Sequence, residues 1–91
     1  MRYLVCFDVS SGRRRNSLAK LCLEYGFRVQ RSVFELSLEK DGLAGFEAAA
    51  RKTINCETDS IRIYPMDQAM EKGLVIVGQG HRWNHESVII L

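Results

Sequence analysis

The sequence predicts an α+β domain, a ferredoxin-like βαββαβ sandwich with an additional C-terminal strand. Three observations predict it. Two segments with apolar residues at helical spacing lie among strand-like segments, in the order β-α-β(β)-α-β-β-β. The first strand is apolar on both faces, which marks it as central. A chain of 91 residues has room for one domain only, here 1–91, with a core over 1–78 and a C-terminal loop and strand over 79–91.

Residues 2–8 read as a strand, because five apolar residues in a row include β-branched and aromatic types. Ser10-Ser11-Gly12 is a turn in which either serine can cap a helix. Leu18, Leu21, Cys22 and Tyr25 then fall on one stripe of a helix over about 13–25, with Gly26 as the left-handed residue that ends it. Residues 28–38 alternate imperfectly, and the break near Ser32 predicts a bulge or two short strands. Asp41-Gly42 turns the chain into a second helix carrying Leu43, Phe46, Ala50 and Ile54 along one stripe. A strand over 60–64 stopped by Pro65, another over 74–77, a polar loop over 80–86 and a last strand over 87–91 complete the reading.

Composition narrows the function classes. The chain is 46% hydrophobic and 26% charged, the balance of an ordinary globular domain. Its apolar runs are too short to span a bilayer, and its N-terminus lacks signal-peptide features, so a cytoplasmic protein is expected. Cys6, Cys22 and Cys56 are odd in number and lack zinc or redox spacing. Charge is polarised. Residues 1–31 carry seven basic and two acidic side chains, and the rest carries six and nine. Nine of the thirteen basic residues are arginine, which forks onto phosphate oxygens. That distribution points to a local polyanion site.

Two helices cover only one face of the predicted sheet, while residues 3–7 and 88–91 are apolar on both faces. An uncovered face and a naked edge strand are aggregation hazards, so a two-fold homodimer is expected to cover them.

Among chemistry-bearing residues, Asp8 ends the central strand on the face of Leu4 and Cys6, a common place for a ligand-binding acid. The plainer alternative is an Asp that tightens the Ser10-Ser11 turn. One carboxylate is a poor Mg²⁺ site, whereas two copies across a dimer axis could share one ion. Arg13, Arg14 and Arg15 crowd the first turn of a helix, where the macrodipole disfavours cations and the open amides favour anions. They are either a solvated charge run or a phosphate-docking site. Arg28, Gln30 and Ser32 alternate on one side of the next strand, with Arg31 on the other. Polar residues there either extend a phosphate track or form a solvated sheet edge. His81 and His85 lack a third zinc ligand. Trp83 reads as an interface anchor, or with Arg82 as a base-stacking pair. There is no Gly-rich phosphate loop and no nucleophile–histidine set, so any catalysis rests on Asp8 and a metal.

Phe7-Asp8-Val9, Arg14-Arg15, Tyr25-Gly26-Phe27-Arg28-Val29-Gln30 and Ser32-Val33-Phe34-Glu35 resemble the family of the second CRISPR-associated (Cas) protein. Asp59-Ser-Ile-Arg-Ile-Tyr-Pro65 is similar to that family's following strand, and the likeness covers most of residues 1–65. The resemblance implies a homodimer in which each C-terminal strand joins the partner's sheet. It implies Mg²⁺, or Mn²⁺, between two copies of Asp8, and hydrolysis of single-stranded RNA or double-stranded DNA. It also implies a partnership with the CRISPR integrase in spacer acquisition. Arg14, Arg15 and Arg28 would be phosphate contacts, and Phe34 a site-shaping residue. The family often has tyrosine where this chain has Phe7, and acids where it has Ser10-Ser11-Gly12. Three functions follow: a metal-dependent nuclease, a non-catalytic DNA-binding adaptor bridging integrase dimers, or a dimeric protein-interaction module.

Overall fold

The computed structural model describes residues 1–78 and, beyond them, the strands His81–Trp83 and Val88–Ile90. The elements are β1 (Arg2–Asp8), α1 (Gly12–Leu23), β2 (Gly26–Gln30), β3 (Val33–Ser37), α2 (Gly42–Thr53), β4 (Ser60–Met66), α3 (Gln68–Lys72), β5 (His81–Trp83) and β6 (Val88–Ile90). The first six make the ferredoxin-like βαββαβ unit. Its four-stranded sheet runs β2-β3-β1-β4 with every neighbouring pair antiparallel, and β5 and β6 form a separate two-stranded sheet.

Alternation sorts β1 onto two faces. Val5 and Phe7 are buried and join Leu18, Cys22, Phe34, Leu36, Phe46 and Ala50 in the core between the sheet and the two long helices. The opposite face carries Leu4, Cys6 and Asp8. Their cross-strand partners on β4 are Tyr64, Arg62 and Ser60, and Leu4 also faces Glu35 on β3. Leu4 and Cys6 are only half-buried. One central strand therefore serves a filled face and an open one, as its doubly apolar sequence requires.

Several expectations are corrected. Gly26 does not end α1 with a left-handed conformation, because among the described glycines only Gly78 has positive φ. The helix closes at Glu24 in the right-handed region, and Gly26 opens β2. Glycine is needed at 26 for space, since a Cβ there would lie 1.8 Å from the Glu35 carbonyl oxygen. Pro65 does not stop β4, which runs on to Met66, because an edge strand tolerates a missing N–H. Residues 74–77 form no strand within the chain, and Val75 and Val77 are 78% and 92% exposed. A short helix, α3, precedes them where none was expected. β5 falls inside the expected polar loop. The imperfect alternation over 28–38 resolves into two short strands with a register shift between Arg28 and Gln30. That shift places Arg28 opposite Phe34 but Gln30 opposite Val33, so the two lie on different faces rather than one.

Candidate functional site

Asp8 is exposed at the carboxyl end of β1, on the open face of the sheet. Chain direction forces this: β1 must end here to turn into α1, and counting by twos from Leu4 puts the carboxylate away from the helices. The acid that tightens the following turn is a different one. Asp59, just before β4, accepts hydrogen bonds from Ser10 N (3.1 Å) and Ser10 Oγ (3.3 Å). It also accepts from Arg14 Nε (2.8 Å), Arg14 Nη2 (3.3 Å), Asn55 N (2.9 Å) and Thr58 Oγ1 (3.1 Å). Its side chain is fully buried. The Arg14 guanidinium holds its carboxyl well below the ordinary carboxylate range, against an opposing push from burial and with help from the Asn55, Ser10 and Thr58 donors. Asp8 is thus spared the task of holding the turn.

The three consecutive arginines meet different fates. Ser11 caps α1 by accepting from Arg14 N at 3.3 Å, which fixes the first turn of the helix. Arg13 is exposed. Arg14 is paired to Asp59 and also donates to Ser10 Oγ at 3.1 Å. Arg15 donates through Nη1 to the Val9 and Ser10 carbonyls at 2.9 and 3.4 Å, covering carbonyls that β1 leaves behind.

Arg15 also lines a hollow of about 360 Å³ with Arg28, Arg31, Asn16, Ser32 and Phe7. Phe7 stacks on Phe34 with centroids 5.7 Å apart, and the Arg28 guanidinium lies over the Phe34 ring, 5.1 Å from its centroid. The two rings are the apolar floor on which the basic side chains are held. Among the described residues no carboxylate pairs with Arg15, Arg28 or Arg31. Three guanidinium groups around one hollow suit phosphate oxygens. Asp8 does not line this hollow, which opens beside α1 on the helix side of the sheet.

For a divalent ion, the described residues offer no group of three His, Cys, Asp or Glu side chains. One chain therefore gives Mg²⁺ a single exposed carboxylate, and two copies of Asp8 with waters would meet its preference for oxygen ligands. Of the cysteines, Cys22 is buried in the core, and burial pushes its thiol up to about 12 despite the opposing Arg28 charge. The readings of His81, Arg82, Trp83 and His85 concern side chains outside the described residues. Asp59 was missed by sequence reasoning as a site residue. Its main partner lies 45 residues away, and only its place directly before a strand hinted at a turn-holding role. No helix among the described residues is long and apolar enough to cross a membrane.

Known proteins are similar to this chain in sequence and fold. The family described as CRISPR associated protein Cas2 matches residues 1–72. A CRISPR-associated endoribonuclease Cas2 of Mycobacterium tuberculosis is 49% identical over 65 residues, 70% of this chain and 56% of that protein. One of Synechocystis sp. is 34% identical over 90 residues, covering 98% and 97% of the two chains. The crystal structure of Streptococcus pyogenes Cas2 at pH 6.5 superposes with a TM-score of 0.77 at 34% identity, over 86% of this chain and all of that one. A chain of a partial Cas6-RT-Cas1–Cas2 complex does so with a TM-score of 0.73 at 31% identity, over 84% of this chain and 83% of that one. With the family's sequence matched from the first strand through the third helix, on the fold its solved members share, the chain belongs to the CRISPR-associated Cas2 family.

Proposed function

We propose that this protein is a homodimeric, metal-dependent phosphodiesterase that hydrolyses single-stranded RNA or double-stranded DNA and partners the CRISPR integrase in spacer acquisition. The observation that carries the reading is Asp8: an exposed carboxylate at the end of the central strand, relieved of structural duty by Asp59. Relatives named as endoribonucleases supply the reaction class, and the complex containing a Cas1 and a Cas2 supplies the integrase partner. The dimer is supported by the half-filled open face, the place of β4 at the edge of the described sheet and the exposed Val75 and Val77.

In this reading Asp8 from each subunit holds one Mg²⁺ or Mn²⁺, whose bound form supplies an acidified water and charge against the attacked phosphate. Everything else falls to the chain itself. Arg15, Arg28 and Arg31 grip backbone phosphates on the helix side, and exposed Arg13 adds to the field that draws the polyanion in. Because that basic hollow and Asp8 lie on different faces, a strand gripped by the arginines must pass around the β1–α1 corner to reach the carboxylate.

The same separation favours a second reading, a DNA-binding adaptor that bridges integrase dimers without cutting. Here the arginines carry the function and Asp8 none. One experiment separates the two. Wild type and Asp8→Ala, each confirmed as a dimer by sedimentation, are incubated with labelled single-stranded RNA and duplex DNA, with Mg²⁺ or with EDTA. Cleavage that needs both Asp8 and metal supports the nuclease and names its substrate. Salt-sensitive duplex binding with no cleavage supports the adaptor. Indifference to both nucleic acids would leave the protein-interaction module.

A further inference from the structure

We propose that Asp59 is the positioning residue of the Asp8 site, and that it takes Arg14 for this task, so that Arg14 holds protein rather than nucleic acid. The proposal rests on the reading of Asp8 as a metal ligand. Asp59 lies at the point where three parts of the fold meet: the turn leaving β1, the first turn of α1, and the loop entering β4. Its carboxylate is fully buried, and an isolated buried charge is costly, so it must be paired and saturated with donors. Arg14 is the only cation paired with it among the described residues, through Nε at 2.8 Å and Nη2 at 3.3 Å.

The consequence runs in both directions. Toward Asp8, the Ser10 amide and hydroxyl are both anchored on Asp59 Oδ1, two residues from the metal-ligating position. Asp8 itself faces Ser60, the residue after Asp59, in the β1–β4 register. The one carboxylate thus fixes the chain on both sides of the Asp8 end of the sheet. Groups that hold a metal ligand in place typically change metal affinity by about ten- to a hundredfold when they are removed. Toward nucleic acid, both the Nε and Nη2 donors of Arg14 are occupied by Asp59 and Ser10, with its side chain 70% buried, whereas Arg15 turns toward the basic hollow. Two adjacent arginines in one helical turn therefore do different work.

Two measurements on dimeric protein test this, neither needing turnover. In EDTA, the salt dependence of single-stranded RNA binding is compared for wild type, Arg14→Gln and Arg15→Gln. The proposal expects Arg15→Gln to flatten the log–log slope by about 0.7, one phosphate's worth, and Arg14→Gln to leave it unchanged. A flattening of that size in Arg14→Gln overturns the proposal. Calorimetric titration with Mn²⁺ then reads the metal site in wild type, Asp8→Ala and Asp59→Asn. Loss of binding in Asp8→Ala with about tenfold weaker binding in Asp59→Asn supports the positioning role. Wild-type affinity in Asp59→Asn overturns it. Should Asp59→Asn fail to fold, Arg14→Lys, which keeps the charge but not the fork, replaces it with the same two outcomes. A wild type that binds no Mn²⁺ through Asp8 overturns the positioning claim along with the metal reading. The Arg14 slope still shows whether the arginine is withheld from nucleic acid.

Discussion

The corner around Asp59 and the basic hollow beside it are built from the same kind of side chain and behave oppositely. At the corner a buried acid claims Arg14 and shields it. In the hollow Arg15, Arg28 and Arg31 converge with an aromatic pair beneath them and no acid among the described residues. A count of arginines cannot separate the two regions. What separates them is whether a desolvated carboxylate lies within reach, because pulling the cation off such a group would leave an uncompensated buried charge.

The most severe way to break the comparison is to remove the floor under the hollow. Phe34→Ala deletes a fully buried ring that supports both Phe7 and Arg28, and should cost about 3–5 kcal/mol in urea unfolding. A loss below ~1 kcal/mol would mean that the ring pair is not a structural floor. Asp8→Ala is expected to lower metal-dependent cleavage at least about a hundredfold, equivalent to ~2.7 kcal/mol, while moving the melting temperature hardly at all because the residue is exposed. Rates within threefold of wild type would remove Asp8 from the mechanism. Arg31→Gln should flatten the salt slope of duplex binding by about 0.9, with cleavage per bound complex unchanged. A slope equal to wild type would exclude Arg31 from the phosphate track.

The mildest test uses acid. Asp59 is depressed in the folded chain, so the unfolded chain binds more protons at low pH. The contribution of this group is fully present above about pH 4 and is lost as pH falls toward its folded value. The urea midpoint of wild type should therefore drop below about pH 4 more steeply than that of Asp59→Asn, measured between pH 2.5 and 6. Parallel curves would show that the Arg14 pairing does not set the acid response.

Much of the fold was legible because its signals are local. The stripe of Leu18 and Cys22 and that of Phe46 and Ala50 report burial directly, and of the doubly apolar run over residues 3–7 the alternate residues Val5 and Phe7 lie in the core. The misreadings are non-local. Gly26 looked like a helix terminator, and its requirement comes from the backbone of Glu35 on the neighbouring strand. Residues 74–77 carry strand propensity yet form no strand among the described residues. At the candidate site, Asp8 and the clustering of arginines were readable from position and charge. The division of labour between Arg14 and Arg15 was not, because it depends on a carboxylate 45 residues further along.

The register shift at Val29 has a consequence for charge density. An extra residue in one strand bends the ribbon and raises its twist, and here the shift falls between Arg28 and the turn that carries Arg31. How closely the guanidinium groups crowd together is thus a property of backbone curvature as well as of composition. Deleting Val29 would straighten the hairpin and dilute the local potential without removing a single charge from the protein.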